Sequence, residues 1–249
     1  MPEGSLRKEL KREHPRIALF LDFDGTLADL ALVPDGVIVE PWLPQALDRL
    51  RERLQGALAI VTGRPVSFID DRMAPHRFDV AGLHGAEMRL AGHYEEEVVD
   101  QTPMRATVAW LKTLTEGTHF IVEDKGLSVA LHWRLAPEAE ELAKSLMREV
   151  QERLGKTFRL QEGKFVMEAV PAHAAKGVAI EQLLKLPAYA GRAPVFVGDD
   201  VTDEHGFAVV RGLGGYSVQV GGDVTLAQYK VRNPRAVRRH IRYWADRSL

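Results

Sequence analysis

The pentapeptide Asp22-Phe23-Asp24-Gly25-Thr26 sets two carboxylates two residues apart, beside a glycine that lets the backbone turn tightly around a ligand. A carboxylate can attack phosphorus and form an aspartyl phosphate, which splits one difficult displacement into two easier steps. Asp22 is placed for that attack. Asp24 is placed to protonate the leaving oxygen and then to take a proton from the attacking water. Alone, the pentapeptide also fits a solvated turn or a calcium loop. The EF-hand version fails, because no acidic ligands follow in register and an apolar strand-like run, rather than a helix, precedes it.

Three further segments bear on the choice. Thr62-Gly63-Arg64 offers a hydroxyl and backbone amides to phosphate oxygens, although the same tripeptide fits a plain turn. Lys176 opens a helical pattern, so its ammonium and the helix N-terminus can face one anion; a surface lysine is the alternative. Gly198-Asp199-Asp200-Val201-Thr202-Asp203 places three carboxylates within five positions, hard oxygen ligands that suit magnesium. Beside Asp22 and Asp24 such acids would repel one another without a counter-cation. Asp203 or Thr202 can also cap a helix. His84, His132 and His205 are irregularly spaced and read as packing or hydrogen-bonding residues rather than metal ligands.

These residues need rigid supports. Short apolar runs at 17–21, 57–61, 80–83 and 194–197 each end in small, polar or acidic residues and read as buried strands. Leu43, Leu47, Leu50 and Leu54 recur at helical spacing over 41–54, and a second helix over 176–186 buries Ile180, Leu183 and Leu184. Strands alternating with helices predict an α/β fold with a parallel sheet, in which ligands bind beyond the carboxyl ends of the strands. The middle of the chain has another rhythm. Helices over 104–116 and 137–154 are each followed by two strand-like runs, 119–123 with 128–133 and 157–160 with 165–170. Two helix-hairpin units predict an inserted α/β cap domain over 101–171, with its edges near Asp100 and Ala172, between core segments 1–100 and 172–249.

Composition removes other classes. The 249 residues are 45% hydrophobic and 27% charged, a globular balance rather than a disordered one. A net charge of -2 with dispersed basic residues offers no general attraction to nucleic acid or to an anionic membrane surface. No stretch approaches the roughly 18 consecutive apolar residues of a membrane span. Residues 1–15 are polar and charged, unlike a secretory signal. With no cysteine, disulfide frameworks, thiolate zinc sites and cysteine nucleophiles are excluded, and the cytoplasm is the expected compartment.

The aspartate pair, Thr-Gly-Arg, lysine and Gly-Asp-Asp, in that order, resemble the haloacid dehalogenase superfamily of phosphotransferases. More narrowly, Leu83-His84-Gly85-Ala86-Glu87, Glu123-Asp124-Lys125 with Ser128, His132-Trp133-Arg134, Gly163-Lys164 with Glu168, and Asp199 to Glu204 resemble the trehalose-6-phosphate phosphatase family over nearly the whole chain. The resemblance implies a Rossmann-like core, Mg2+ as cofactor, and trehalose and phosphate as products of a small-molecule sugar phosphate. It further implies Asp22 as nucleophile and metal ligand, Asp24 as acid/base and ligand through its carbonyl, and Asp199 as the third ligand. Thr62, Gly63, Arg64 and Lys176 would hold phosphate, and Asp200 and Asp203 would orient ligands and waters. Glu123, Lys125, Arg134, Lys164 and Glu168 would meet the sugar. Trp133 stands where a tyrosine is commoner and is expected to pack. With no synthase segment in the chain, functional coupling to a separate trehalose-6-phosphate synthase is expected. Another sugar phosphate, such as sucrose phosphate or a glycosylglycerate phosphate, stays open as substrate. A catalytically silent relative would have lost a nucleophile, acid/base or metal ligand, and none is missing.

Overall fold

The computed structural model describes residues 17–31, 33–90, 93–96, 101–222 and 225–246. Residues 1–15 and the cap edge near Asp100 lie outside the described residues. The chain lays down β1 (Ile17–Leu21), β2 (Leu58–Val61), β3 (Asp79–Gly82), β4 (Glu87–Leu90) and β5 (His93–Glu96). A second set follows, β6 (Ile121–Asp124), β7 (Val129–His132), β8 (Phe158–Gly163) and β9 (Val166–Pro171). The chain then returns with β10 (Ala193–Gly198), β11 (Tyr216–Val220) and β12 (Tyr229–Val231). The helices are α1 (Leu43–Arg53), α2 (Val66–Met73), α3 (Thr102–Thr115), α4 (Glu140–Leu154), α5 (Lys176–Leu183), α6 (Glu204–Gly212) and α7 (Pro234–Asp246). Among the described residues no helix is long and apolar enough to cross a membrane.

Eight strands form one sheet in the order β12-β11-β10-β1-β2-β3-β4-β5. The first six are parallel, and β4 and β5 add an antiparallel edge. From β1 the chain runs outward through β2 and β3, then comes back to β10 on the opposite side. The strand order therefore reverses between β1 and β10, and the crevice at their carboxyl ends is where such sheets take ligands. Leu21 pairs with Val197, so Asp22 and Asp199 leave adjacent strands side by side.

The expected parallel sheet is present but is not wholly parallel, because β4 and β5 also pair. Apolar alternation does not reveal β4: its buried positions are Glu87 and Arg89, whereas Met88 and Leu90 are only partly buried. Glu87 accepts the Val66 backbone N–H (2.8 Å) and Arg89 donates to the Phe78 carbonyl (2.6 Å), so these polar residues point inward with partners. The third strand ends at Gly82, because Leu83 and His84 adopt left-handed backbone (φ 48° and 60°). Their N–H groups donate to the carbonyls of Arg64 (3.0 Å) and Thr62 (2.9 Å), which pins the loop after β2. The helix expected over 176–186 ends at Leu183, shortly before Pro187, which disfavours helical backbone at the residue preceding it.

The middle of the chain forms its own antiparallel sheet, β6-β7-β9-β8, with a separate apolar cluster under α3 and α4. Val129, Leu131, Met167 and Ala169 cluster with Leu111 of α3, Met147 of α4 and the fully buried Trp133, so Trp133 packs as expected. Because strand side chains alternate, the intervening residues line the opposite face. Register places Glu123, Ala130, Glu168 and Gln161 in one row across all four strands. Since Leu111 is fully buried in this smaller cluster, Leu111→Ala should lower unfolding free energy by about 2–5 kcal/mol in urea titrations. A change under about 0.5 kcal/mol would mean that this layer is not close-packed.

Candidate active site

The crevice between β1 and β10 is organised around one ammonium group. Lys176, the first residue of α5, is 3% exposed, and its Nζ lies 2.7 Å from Asp22 Oδ1 and 2.7 Å from Asp203 Oδ1. The other Asp203 oxygen accepts the N–H groups of Asp199 (2.9 Å) and Asp200 (3.0 Å). Asp203 therefore ties the strand-end turn to Lys176, while Asp200 caps the same turn through Val201 N–H (2.8 Å). Burial in this turn would push the Lys176 ammonium towards losing its proton, but the two aspartates outweigh it and raise its pKa.

Asp22, Asp199 and Asp203 each bring a carboxylate oxygen within 4.8 Å of the others. Asp203 has both oxygens engaged. Asp199 Oδ1 is buried and has no hydrogen-bond partner, which costs free energy unless an electropositive group meets it. Burial raises the pKa of the Asp22 carboxyl, with Lys176 opposing and the Asp203 and Asp24 charges adding. It raises Asp199 likewise, with Asp22 and Asp203 adding. A divalent cation between Asp22 and Asp199 would reverse these penalties, so the donor set fits a hard metal ion.

Gly25 makes that arrangement possible. Its φ is +74°, and a Cβ there would come within 2.6 Å of every Asp199 carboxylate atom. Gln219 on β11, a residue sequence reasoning missed, donates to the Asp199 carbonyl (2.7 Å) and holds the turn from the neighbouring strand. Its register opposite Gly198 is the only signal, and that is visible only once the strands pair.

Arg64 holds a different set of groups. Its Nε and Nη2 donate to the two oxygens of Asp24 (2.7 and 2.9 Å), Nη1 reaches Glu123 Oε1 (3.2 Å), and the guanidinium lies over Phe68. Arg64 thus joins the expected acid/base to the row on the small sheet. Thr62 is buried and its hydroxyl accepts the Arg64 N–H (3.1 Å), as a turn-forming residue does. Gly63 has no room for a side chain, because a Cβ would lie 2.8 Å from the His84 ring, and its carbonyl accepts from Lys125 Nζ (3.1 Å).

Of the residues expected at the sugar, Glu123, Lys125 and Glu168 come together. Glu168 is 7% exposed; it accepts from Ser128 Oγ (2.6 Å) and Lys125 Nζ (2.8 Å). Burial would raise its carboxyl, but Lys125 and the His84 ring outweigh it and hold Glu168 well below the usual carboxylate range. Burial would also raise Glu123, which His132 (2.8 Å), Lys125 and Arg64 hold low instead. Burial pushes the His84 pKa down, with Glu168 opposing it, and the ring pairs with Gln161 (2.8 Å). Gln161 is the other residue sequence reasoning missed; its place opposite Glu168 follows from register, not from any motif. His84 and His132 are hydrogen-bonding residues as expected, and His205 is exposed. Arg134 and Lys164 make no hydrogen bond to this cluster: Arg134 donates to the Lys164 carbonyl (3.4 Å) and lies over Phe165, and Lys164 is exposed.

Comparison with known proteins places this geometry in context. The family model described as Trehalose-phosphatase matches residues 20–234. The "Probable trehalose-phosphate phosphatase" of Sinorhizobium fredii is 44% identical over 214 residues, 85% of this chain and 80% of that protein. The trehalose-6-phosphate phosphatase of Escherichia coli K12 is 37% identical over 218 residues, 87% and 82% of the two chains. The C-terminal domain of Candida albicans trehalose-6-phosphate phosphatase superposes with a TM-score of 0.85 at 23% identity, covering 98% of this chain and 97% of that one, a likeness of fold.

Gly25→Ala tests the metal reading without an activity assay. The substitution forces left-handed backbone on a residue with a Cβ and displaces Asp199. It should cost about 1–3 kcal/mol of stability and abolish the rise in Tm that a divalent cation gives the unaltered protein in thermal melts. An equal cation-dependent rise in both proteins would place the ion elsewhere.

Proposed function

The chain belongs to the trehalose-phosphatase family, and from that premise we propose that it hydrolyses trehalose 6-phosphate through an aspartyl phosphate on Asp22. The observation that carries this reading is the buried triad of Asp22, Lys176 and Asp203 beside an unpartnered Asp199 oxygen, with Asp24 two residues along the same loop. Asp22 sits where a nucleophile at a strand end meets an anion held by Lys176, the Thr62–Arg64 loop and backbone amides.

Attack of an Asp22 oxygen on phosphorus forms the acyl-phosphate bond and breaks the bond from phosphorus to the sugar oxygen. Asp24 gives that oxygen its proton. Water then attacks the aspartyl phosphate, Asp24 takes up the water's proton, and inorganic phosphate leaves with Asp22 restored. Arg64 donates to both Asp24 oxygens, and an arriving phosphate that draws the guanidinium to itself would free Asp24 for proton transfer. Mg2+ held by Asp22, Asp199 and the Asp24 carbonyl would shield the phosphate charge from the nucleophile.

In this proposal the small sheet and its two helices, residues 101–171, form a cap over a core made of the flanking segments. Glu123, Lys125 and Glu168 supply acceptors and a donor to the sugar hydroxyls, with Arg134 and Lys164 at its outer edge. A bound sugar would exchange its hydroxyls for the present Lys125–Glu168 pairing. A separate synthase would deliver the substrate, and a chain without cysteine fits the reducing cytoplasm.

Asp22→Asn should abolish phosphate release from trehalose 6-phosphate, and Asp24→Asn should slow it by about 10²- to 10⁴-fold. Turnover near the original rate in the Asp22 variant would rule out the covalent route. For specificity, Glu168→Gln keeps the shape of the side chain and alters its hydrogen bonding. It should lower kcat/KM on trehalose 6-phosphate about 10- to 100-fold and spare p-nitrophenyl phosphate. Equal losses on both substrates would assign Glu168 to cap support instead.

A further inference from the structure

A cavity of about 630 Å³ opens between the start of α7 and the segment leading into α1, and no residue of the candidate active site lines it. Among the described residues, Arg232, Arg235, Arg238, Arg239 and Arg242 line it together with one acidic residue, Glu40. The chain as a whole carries a net charge of -2, so this is a local concentration of positive charge.

The arrangement opposes what a helix would select for itself. Arg235, Arg238 and Arg242 recur at spacings of three and four, so like charges share one face of the helix, with Asp29 as the counter-charge of Arg238. The first turn of α7 carries no acidic residue, although negative charge is favoured there. An anion in the cavity would complement both features. Planar guanidinium forks match phosphate oxygens two at a time. A concave site of this size suits a compact ligand rather than a flat membrane or an extended polymer. The Trp42 ring is covered by the Arg242 guanidinium (4.1 Å), which leaves that aromatic face closed to a base.

We propose that this cavity is a second anion site, for a compact, multiply charged phosphate compound. Arg238 connects it to the catalytic loop: its guanidinium is buried and donates to the Leu27 carbonyl (3.1 Å) and to Asp29 Oδ2 (2.8 Å). Leu27 and Asp29 flank Ala28, whose carbonyl accepts the Gly25 N–H (2.8 Å), so a ligand that draws on Arg238 pulls on the loop that carries Asp24.

Titration of metal-free protein with pyrophosphate tests this, with calorimetry for affinity and Trp42 emission for location. Charge reversal at two exposed positions, Arg232→Glu with Arg235→Glu, should weaken binding at least about tenfold and leave kcat/KM without added anion within about twofold. The emission change should vanish in Trp42→Phe. If the reversed protein fails to fold, Arg232→Gln with Arg235→Gln gives the same comparison. ADP as a second probe separates sources: tighter binding than pyrophosphate assigns a nucleotide, and equal or weaker binding assigns phosphate groups alone. Unchanged pyrophosphate affinity in the folded double variant, or no emission change that depends on Trp42, would overturn the proposal.

Discussion

The Lys176 ammonium, shared between Asp22 and Asp203 out of contact with water, is the constraint from which the rest of the site follows. A buried cation needs its counter-charges at close range, and removing one partner from such a cluster typically costs about 3–5 kcal/mol. Helix α5 must therefore begin where β1 and β10 end. Close packing holds it there. A Cβ on Gly177 would come 2.4 Å from the His205 ring on α6, and one on Gly85 would come 2.8 Å from Ala179 on α5. The second Asp203 oxygen then fixes the backbone of Asp199 and Asp200. Asp199 is left as the carboxylate with an oxygen to spare, beside Asp22.

The small sheet is joined to this centre by a few charged and polar contacts and one small apolar patch. Leu83 and Ala86 of the core pack with Leu127 and Ala174, close to where the chain returns from the second sheet. Arg64 to Glu123 and Lys125 to the Gly63 carbonyl cross from one layer to the other near the Asp24 carboxylate. Ala130 matters by what it lacks: with only a methyl group between Glu123 and Glu168, the longer side chains on either side have space to reach towards the core. The same face that the strand alternation turns away from α3 and α4 is thus the face that meets the loops carrying Asp24, Gly63 and Arg64.

The family resemblance and the order of chemical residues were legible in the sequence because they depend on local pattern. A buried strand followed by a carboxylate pair, a leucine stripe at helical spacing, and a run of acids after an apolar segment are each short-range features. The two helix-hairpin units in the middle of the chain were readable for the same reason. What failed locally failed for physical cause: β4 buries Glu87 and Arg89 rather than its apolar residues, and Leu83 leaves the strand because its N–H is drawn to Arg64.

Sequence alone thus determined which residues could do chemistry and roughly which elements carry them, since both follow from residue type and spacing. Only the tertiary structure decided their partners. Arg64 reads in sequence as a phosphate holder, yet it grips Asp24 and Glu123, 40 and 59 residues away. Lys176 reads as a plausible surface residue, yet it is buried between two aspartates. Gln161, Gln219 and the cavity arginines carry no motif at all, and strand register or helix packing gives them their places. Spacing along a chain constrains neighbours within a turn or a strand, whereas ion pairs across a sheet depend on how strands align, and that is set by burial of the whole core.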